Sequence, residues 1–413
     1  MRLLYTLATY ALLPWALLHL LIRGRKQPAY LQHVPERFGL YRLRLTGQPI
    51  WVHAVSVGET RAAEPLVAAL QARHPGVPLL LTHMTPTGRE ISEALFGGRI
   101  ACCYLPYDLP GAVQRFLRHF RPVQGIVMET ELWPNLVDAC ARLGVPLHLV
   151  NARMSQRSAA RYARFGSITK RMLSRLNGIG AQTDRDAARL VALGAHAVHV
   201  TGNIKFDRAP SAAQLELGNG LRRRFGSSRK IFLAASTREG EEPLLLEVLS
   251  SLADKALLMV IVPRHPQRFD AVADLLSRSQ VPFQRRSDNV QVRPDTQVVL
   301  GDSMGEMFAY YWACDVAFVG GSLLPHGGQN LIEACAVGKP VIVGPHTFNF
   351  EEATERAIEA GAALRVADAQ ALASALMKLL SDQARAREIG DNGRRFTEAH
   401  RGATEKTLTL LGL

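Results

Sequence analysis

Cysteine is scarce: Cys102, Cys103, Cys140, Cys314 and Cys335 are the five among 413 residues, and no two stand in Cys-x-x-Cys spacing. An odd, dispersed set argues against a disulfide framework or a zinc site. Each falls in an apolar stretch, where a free thiol behaves as a small hydrophobe, and this fits a reducing compartment. The 13 histidines are scattered, without a His-Glu-x-x-His run, so nothing in the sequence supports a metal site. Interleaved basic and aromatic residues are missing, as is any recognisable RNA- or DNA-binding motif. No tandem repeat or low-complexity run occurs, and an apolar fraction of 47% excludes wholesale disorder. Acidic residues are outnumbered, 36 against 49 Lys+Arg, for a formal net charge of +13. That excess favours anionic partners: nucleic acid, an acidic membrane surface, or phosphorylated or carboxylated substrates. Charge alone does not choose among them, and a solvated basic surface accounts for it equally well.

From Leu3 to Ile22 the chain reads LLYTLATYALLPWALLHLLI, uncharged apart from His19 when protonated. As a helix this run is ~30 Å long, about one hydrocarbon core. Pro14 kinks it, and Thr6, Thr9 and His19 make it less apolar than a strong span. A signal peptide is the competing reading, but no small-residue cleavage site follows. Arg23, Arg25 and Lys26 come at once, and basic residues just after a span hold that side in the cytoplasm. The expectation is a membrane anchor, spanning or lying in the interface, with a cytoplasmic body. The plainer alternative is a buried helix of a soluble domain.

The remaining length suits two α/β domains, at about 150 residues each. After a basic, loop-like stretch from Gln27 to Gln48, apolar runs alternate with helical patterns. In the first half the strand candidates are Ile50–Ala54, Pro78–Thr82, Ile100–Leu105, Gly125–Glu129 and Pro146–Asn151, with helical runs such as Thr60–Arg73 and Gly111–His119 between them. Lys205–Ser228 is polar and basic, with Gly218, Gly220 and Gly226, and then the pattern restarts. Its strands are Ile231–Ala235, Ala256–Val262, Gln297–Gly301, Asp315–Gly320 and Pro340–Gly344. Continuous apolar strands alternating with helices predict parallel sheets covered on both faces. The reading is two doubly wound domains: residues 1–26 as anchor and basic flank, 27–205 and 206–413 as Rossmann-like halves hinged near 205, with the last helix free to pack back on the first half. Such sheets bind ligands beyond the carboxyl ends of their strands, so two facing halves predict a cleft there.

Five constellations carry candidate chemistry. His53-Ala-Val-Ser56-Val-Gly58-Glu59 follows the first strand. It places Glu59 in the first turn of a helix, either complementing the helix dipole or accepting a proton. Met128-Glu129-Thr130-Glu131-Leu132-Trp133-Pro134-Asn135 sets two acids at the end of an apolar strand, costly if buried without partners. They point to one side if the strand continues through both, and one of them is able to cap a helix before Pro134. Thr201-Gly202-Asn203-Ile204-Lys205-Phe206-Asp207 puts Lys205 at the hinge, as plain surface or as a charge for a departing phosphate. Val262-Pro263-Arg264-His265-Pro266 presents Arg264 and His265 between prolines, and arginine there suits phosphate or carboxylate unless it is a solvated loop residue. The strongest local signal is Gly320-Gly321-Ser322 ending a strand, then His326-Gly-Gly-Gln-Asn330-Leu-Ile-Glu333 opening a helix. Glycines allow close backbone approach and a helix start binds anions, although the same glycines serve tight turns. The spacing is neither Walker nor GxGxxG, so shape alone names no nucleotide. Gly301-Asp-Ser-Met304-Gly305-Glu306 follows the preceding strand and is expected to line the same pocket.

Taken together these stretches resemble the 3-deoxy-D-manno-octulosonic acid (Kdo) transferases of Gram-negative lipopolysaccharide assembly, glycosyltransferase family 30. Pro35-Glu-Arg-Phe-Gly39, HAVSVGE, Thr85-Pro-Thr-Gly88, METELWPN, Asn151-Ala-Arg-Met-Ser155, TGNIKFD, VPRHP, GDSMGEM and GGSLLPHGGQNLIE follow the family's order over nearly the whole chain. Single pieces occur across many glycosyltransferases of the GT-B fold; the combination is far more specific. The resemblance implies a GT-B fold, CMP-Kdo as donor and a phosphorylated lipid A precursor (lipid IVA) as acceptor, with no cofactor, no catalytic metal and no nucleic-acid partner. It implies an inner-membrane enzyme with its body on the cytoplasmic side, meeting an anionic membrane surface. Glu59 looks like the family's proton acceptor, and Glu129 and Lys205 like its transition-state stabilisers. Arg264 with His265, then Met304, Gly305 and Glu306, then Asn330, Leu331, Ile332 and Glu333 look like the segments that hold cytidine monophosphate (CMP).

Two alternatives stand beside it. One is another GT-B enzyme using a uridine nucleotide, such as a lipid disaccharide synthase or a sugar-nucleotide epimerase; an epimerase needs no membrane anchor, and residues 3–22 weigh against it. The other is a membrane-attached scaffold that has lost catalysis, against which the joint presence of Glu59, Glu129 and Lys205 argues.

Overall fold

The computed structural model describes residues 2–252 and 256–413; Met1 of the expected anchor segment and the Lys26 side chain of its basic flank lie outside them. The chain divides into two compact units, Met1–Arg208 with Arg401–Leu413, and Ala209–His400.

The first unit is built on β1 (Ile50–His53), β2 (Leu79–His83), β3 (Ala101–Tyr104), β4 (Gln124–Met128), β5 (Leu147–Ala152), β6 (Gly178–Ala181) and β7 (Val198–Val200). They form one sheet in the order β3-β2-β1-β4-β5-β6-β7. All neighbours are parallel, with Ile50 opposite Leu79 on one side and Gln124 on the other. Alternate side chains point to opposite faces of a strand. Trp51 and Leu80 therefore enter one buried cluster with Phe116 and Leu136, while Val52 and Leu81 enter another with Leu66 and Leu70. The end of the chain completes the second cluster through Leu408 and Leu411 of the helix Ala403–Leu411. The Asp207 carboxylate fixes that helix by accepting from the Gly402 and Thr404 amides at 2.7 and 2.6 Å.

The second unit repeats the plan with β8 (Ile231–Thr237), β9 (Leu258–Pro263), β10 (Phe283–Arg285), β11 (Val298–Leu300), β12 (Val316–Val319), β13 (Val341–Val343) and β14 (Ala363–Arg365). Its order is β10-β11-β9-β8-β12-β13-β14, again all parallel. Both sheets reverse direction of progression next to their first strand, between β1 and β4 and between β8 and β12. Such reversals open a crevice at the carboxyl ends of the strands, and that is where ligands bind.

Three expectations need correction. Four short strands escape the sequence reading: β6 is glycine-rich, β10 polar, and β7 and β14 only three residues long. The stretch Gln27–Gln48 is more than loop, because Pro28–Leu31 and Val34–Phe38 form 3₁₀ turns and bury Glu36 and Arg37. Glu36 accepts from the Tyr104 amide at 2.8 Å, and the Arg37 guanidinium lies 4.2 Å from the centre of the Tyr104 ring. Within Lys205–Ser228 lies the helix Ala212–Phe225, opened by a Ser211/Gln214 capping box, and Gly218 leaves room for Trp312 against it.

Candidate active site

At the first reversal, β1 runs into a turn whose Ser56 caps the helix Val57–Arg73 by accepting from the Glu59 amide at 3.4 Å. The Glu59 carboxylate folds back and accepts from the Val55 amide. The turn is braced from β2: Thr85 donates to the Val55 carbonyl at 3.2 Å, and His83 Nδ1 meets the Ala54 carbonyl at 2.8 Å. His53 and His83 are both buried, which lowers them to about 3 and about 4, so they serve as neutral packing groups. Burial chiefly, then the charges of Glu129 and Glu131, pushes the Glu59 carboxyl up to about 8, against the pull of the Val55 and Ser56 amides.

Across the reversal β4 stops at Met128, because Glu129 adopts a left-handed φ of 58°. The condition for both acids pointing to one side, a strand running through Glu131, is therefore not met: the chain leaves the sheet at Glu129, and Glu131 turns its carboxylate to the Trp133 indole at 3.3 Å. Neither acid caps the following helix Pro134–Leu143; Asp108 does, accepting from the Asn135 and Leu136 amides at 2.9 and 2.8 Å. Left-handed geometry in a residue with a side chain is strained and gathers at functional sites. Glu129 uses it to reach the Lys205 ammonium at 2.9 Å, with both side chains mostly buried. Lys205 stands on the 3₁₀ turn Ile204–Asp207, held by Asn203 accepting from its amide at 3.0 Å and by Asn151 accepting from the Ile204 amide at 3.1 Å. Asn151 is also left-handed, with φ 53°. The first unit thus gathers Glu59, Glu129 and Lys205 at one sheet reversal.

The second unit gathers cations at its reversal. Near its end β8 is broken in register at Ser236, which has φ 57°, and the Thr237 carbonyl accepts from the Arg264 amide at 3.0 Å. Arg264 Nε donates to Gln329 at 3.2 Å, tying the segment after β9 to the loop before Asn330. Burial, then Arg264, Arg238 and Arg268, lower the His265 imidazole. Two buried acids that the sequence reading missed organise this end. Glu241 accepts from the amides of Arg238, Gly321, Ser322 and Leu323 at 2.6 to 3.0 Å, and Glu242 holds Arg268 through two bonds of 2.8 and 2.7 Å.

This changes the reading of the glycine loop. The amides after β12 serve Glu241, and the Gly328 amide bonds the Gly321 carbonyl at 2.6 Å, so these four amides hold the loop's own shape. The helix also opens later than expected, at Ile332, after Asn330 accepts from the Ile332 amide at 3.1 Å, and spans only Ile332–Ala336. Leu331 and Ile332 are buried core residues, and Glu333 stands in the first turn. The turn Met304-Gly305-Glu306 is held by Ser303 and Arg286, which donate to Glu306 at 2.7 and 3.2 Å; Met304 is exposed and Gly305 takes a φ of 84°. Among the described residues no three His, Cys, Asp or Glu side chains cluster as metal ligands.

Two all-parallel α/β sheets of seven strands, each reversing beside its first strand, give the chain the GT-B fold. Solved structures of this architecture are similar over most of the chain. A glycosyltransferase from Rickettsia africae ESF-5 is 15% identical, covering 88% of this chain and 98% of its own, with a TM-score of 0.60. Anabaena Alr3699/HepE in complex with UDP and glucose is 13% identical, covering 89% and 99%, with a TM-score of 0.58. The family described as 3-Deoxy-D-manno-octulosonic-acid transferase (kdotransferase) matches residues 32–208, and Glycosyl transferases group 1 matches 231–396. The 3-deoxy-D-manno-octulosonic acid transferase of Bordetella pertussis is 46% identical over 98% of both chains, and that of Haemophilus influenzae 41% over 94% and 92%. The chain belongs to the 3-deoxy-D-manno-octulosonic acid transferase family.

Proposed function

We propose that the chain transfers Kdo from CMP-Kdo to the primary hydroxyl of a phosphorylated, glucosamine-based lipid A precursor (lipid IVA) with inversion, releasing CMP in lipopolysaccharide biosynthesis. The work is done at the cytoplasmic face of the inner membrane. The observation that carries this reading is Glu59, a carboxyl raised to about 8 beside the Glu129–Lys205 pair. Glu59 takes the acceptor hydroxyl proton as its oxygen attacks the anomeric carbon of Kdo and the bond to the CMP phosphate oxygen breaks. A raised pKa makes Glu59 a stronger base than an ordinary carboxylate, at the expense of part of the ionised population near neutral pH.

The transition state has oxocarbenium character, as in glycoside hydrolysis, and the Glu129 carboxylate offsets its positive charge. Lys205, paired with Glu129, adds positive charge against the growing charge of the phosphate. In the second unit Arg264 and His265, with Met304 to Glu306 and Asn330 to Glu333, hold CMP; a guanidinium suits phosphate by charge and geometry. CMP leaves as a stabilised phosphate, so no general acid is required.

The test is transfer from CMP-Kdo to a tetra-acylated lipid A precursor, with product masses read by mass spectrometry. The expected result is a gain of one or more Kdo masses with CMP released. No gain, with uridine nucleotides binding better than CMP, would assign the chain to another GT-B activity.

A further inference from the structure

We propose that the amino-terminal helix Arg2–Lys26 lies along the first unit in the membrane interface, with its outer face in lipid, and does not cross the bilayer. The proposal rests on the reading of this helix as a membrane anchor. Length and hydropathy over Leu3–Arg25 are sufficient for crossing. The contacts at its two ends point to the other arrangement.

A crossing helix leaves the body at one end and carries its other end to the far side of the bilayer. Tyr5 and Arg23 are ~27 Å apart along a helix, close to the hydrocarbon thickness. Yet the Tyr5 hydroxyl donates to the Asp108 carboxylate at 2.9 Å, and the Thr6 hydroxyl to Asn135 at 3.0 Å. Asp108 and Asn135 are buried residues of the body, at the start of the helix Pro134–Leu143. At the other end the Arg23 guanidinium lies 5.5 Å from the centre of the Tyr30 ring, and Gly24 lets the helix close onto Leu31. Both ends of the helix are therefore fastened to one body, on one side of any membrane.

Exposure along the helix agrees. Tyr5, Thr9, Leu13 and Ala16, half-buried, and Leu20 and Gly24, buried, recur every three or four residues and form the less exposed stripe of the helix, the side on which its two ends are fastened. The opposite stripe of Leu4, Leu7, Trp15, Leu18 and Ile22 is exposed, with Leu4 and Trp15 each 64% exposed. An interfacial helix usually turns a polar face to water; here the inward side is pinned to the protein by Tyr5 and Thr6 instead. The occupant of the outer stripe is lipid: it carries no charge, it holds a tryptophan suited to the headgroup boundary, and Arg23 and Arg25 follow for anionic headgroups. The helix Pro134–Leu143 that anchors Tyr5 and Thr6 directly follows the Glu129–Trp133 segment. A helix held there keeps the candidate site at the surface where a lipid acceptor stands.

The test uses the full chain with Cys102→Ser, bound to vesicles of phosphatidylethanolamine and phosphatidylglycerol. Nitroxide labels go on Leu4→Cys, Ala11→Cys or Ile22→Cys, all outward positions, and depth is read from collisions with oxygen and with a water-soluble nickel chelate. The expected result is equal, shallow depth at all three, with Leu4 becoming more mobile when Tyr5→Phe and Thr6→Val remove its pins. A label at residue 11 far deeper than those at 4 and 22 overturns the proposal and leaves the anchor intact. Failure to bind vesicles, with transfer to detergent-dispersed acceptor retained, overturns the anchor reading and leaves the transferase reading standing.

Discussion

The two units share a sheet of seven parallel strands with a reversal beside the first strand, and they put opposite chemistry at that point. Between β1 and β4 stand Glu59, Glu129 and Glu131, with Lys205 as a close cation. Between β8 and β12 stand Arg238, Arg264, Arg268 and His265, and the acids there, Glu241 and Glu242, are turned inward to hold loop amides and an arginine. In the proposed function one fold accepts a proton and the other receives an anion, because the reversal fixes where side chains gather and leaves their charge to the loops. Left-handed residues mark both places: Glu129 and Asn151 in the first unit, Ser236 in the second.

If this division holds, the largest effect comes from Glu59→Gln, which should lower the transfer rate by ~10²–10⁴ while CMP binding by calorimetry stays as in the wild type. Equal losses in binding and rate would break the comparison. Arg264→Ala should do the reverse, weakening CMP by about 10-fold or more, with a weaker salt dependence of binding, since a charge-assisted contact to phosphate is lost. A smaller effect is expected for Asn151→Ala, which frees the turn bearing Lys205 without touching substrate. It should lower the rate several-fold, as in other losses of positioning, with CMP affinity unchanged.

The smallest effect is on stability. Because Glu59 is raised from its ordinary 4.5 to about 8 in the fold, its favourable contribution is complete below 4.5 and is lost as pH rises through about 8. Glu59→Gln should therefore melt progressively later than the wild type over that window, by about a few degrees at its upper end. A constant difference from pH 4 to 9 would show that Glu59 is not held protonated.

Much of this was legible in the sequence, and what escaped it has physical reasons. Central strands show as apolar runs because both faces are buried, whereas β6, with glycine at two of its four positions, and the three-residue β14 carry too little pattern. Glu59 was readable from a strand, a glycine turn and a helix start within ten residues. The break at Glu129 was not, because a left-handed φ in a glutamate leaves no trace in composition. Asp108 and Glu241 were missed for another reason: their partners lie 27 and about 80 positions away, and only the fold brings them together. The loop after β12 was read either as a close approach for a ligand or as tight turns, and the capture of its Gly321, Ser322 and Leu323 amides by the distant Glu241 left no local signal.

The most direct test is the pH dependence of kcat/KM for Kdo transfer in the wild type, Glu129→Gln and Glu59→Gln. The proton acceptor assigned to Glu59 predicts a wild-type rate that rises with pH to a plateau above about 8. With one negative neighbour gone, Glu129→Gln should rise at lower pH, though burial still keeps it above the ordinary carboxylate range. Glu59→Gln should retain only a slow rate without that inflection. A wild-type profile flat between pH 6 and 9, or the same inflection surviving in Glu59→Gln, would contradict it.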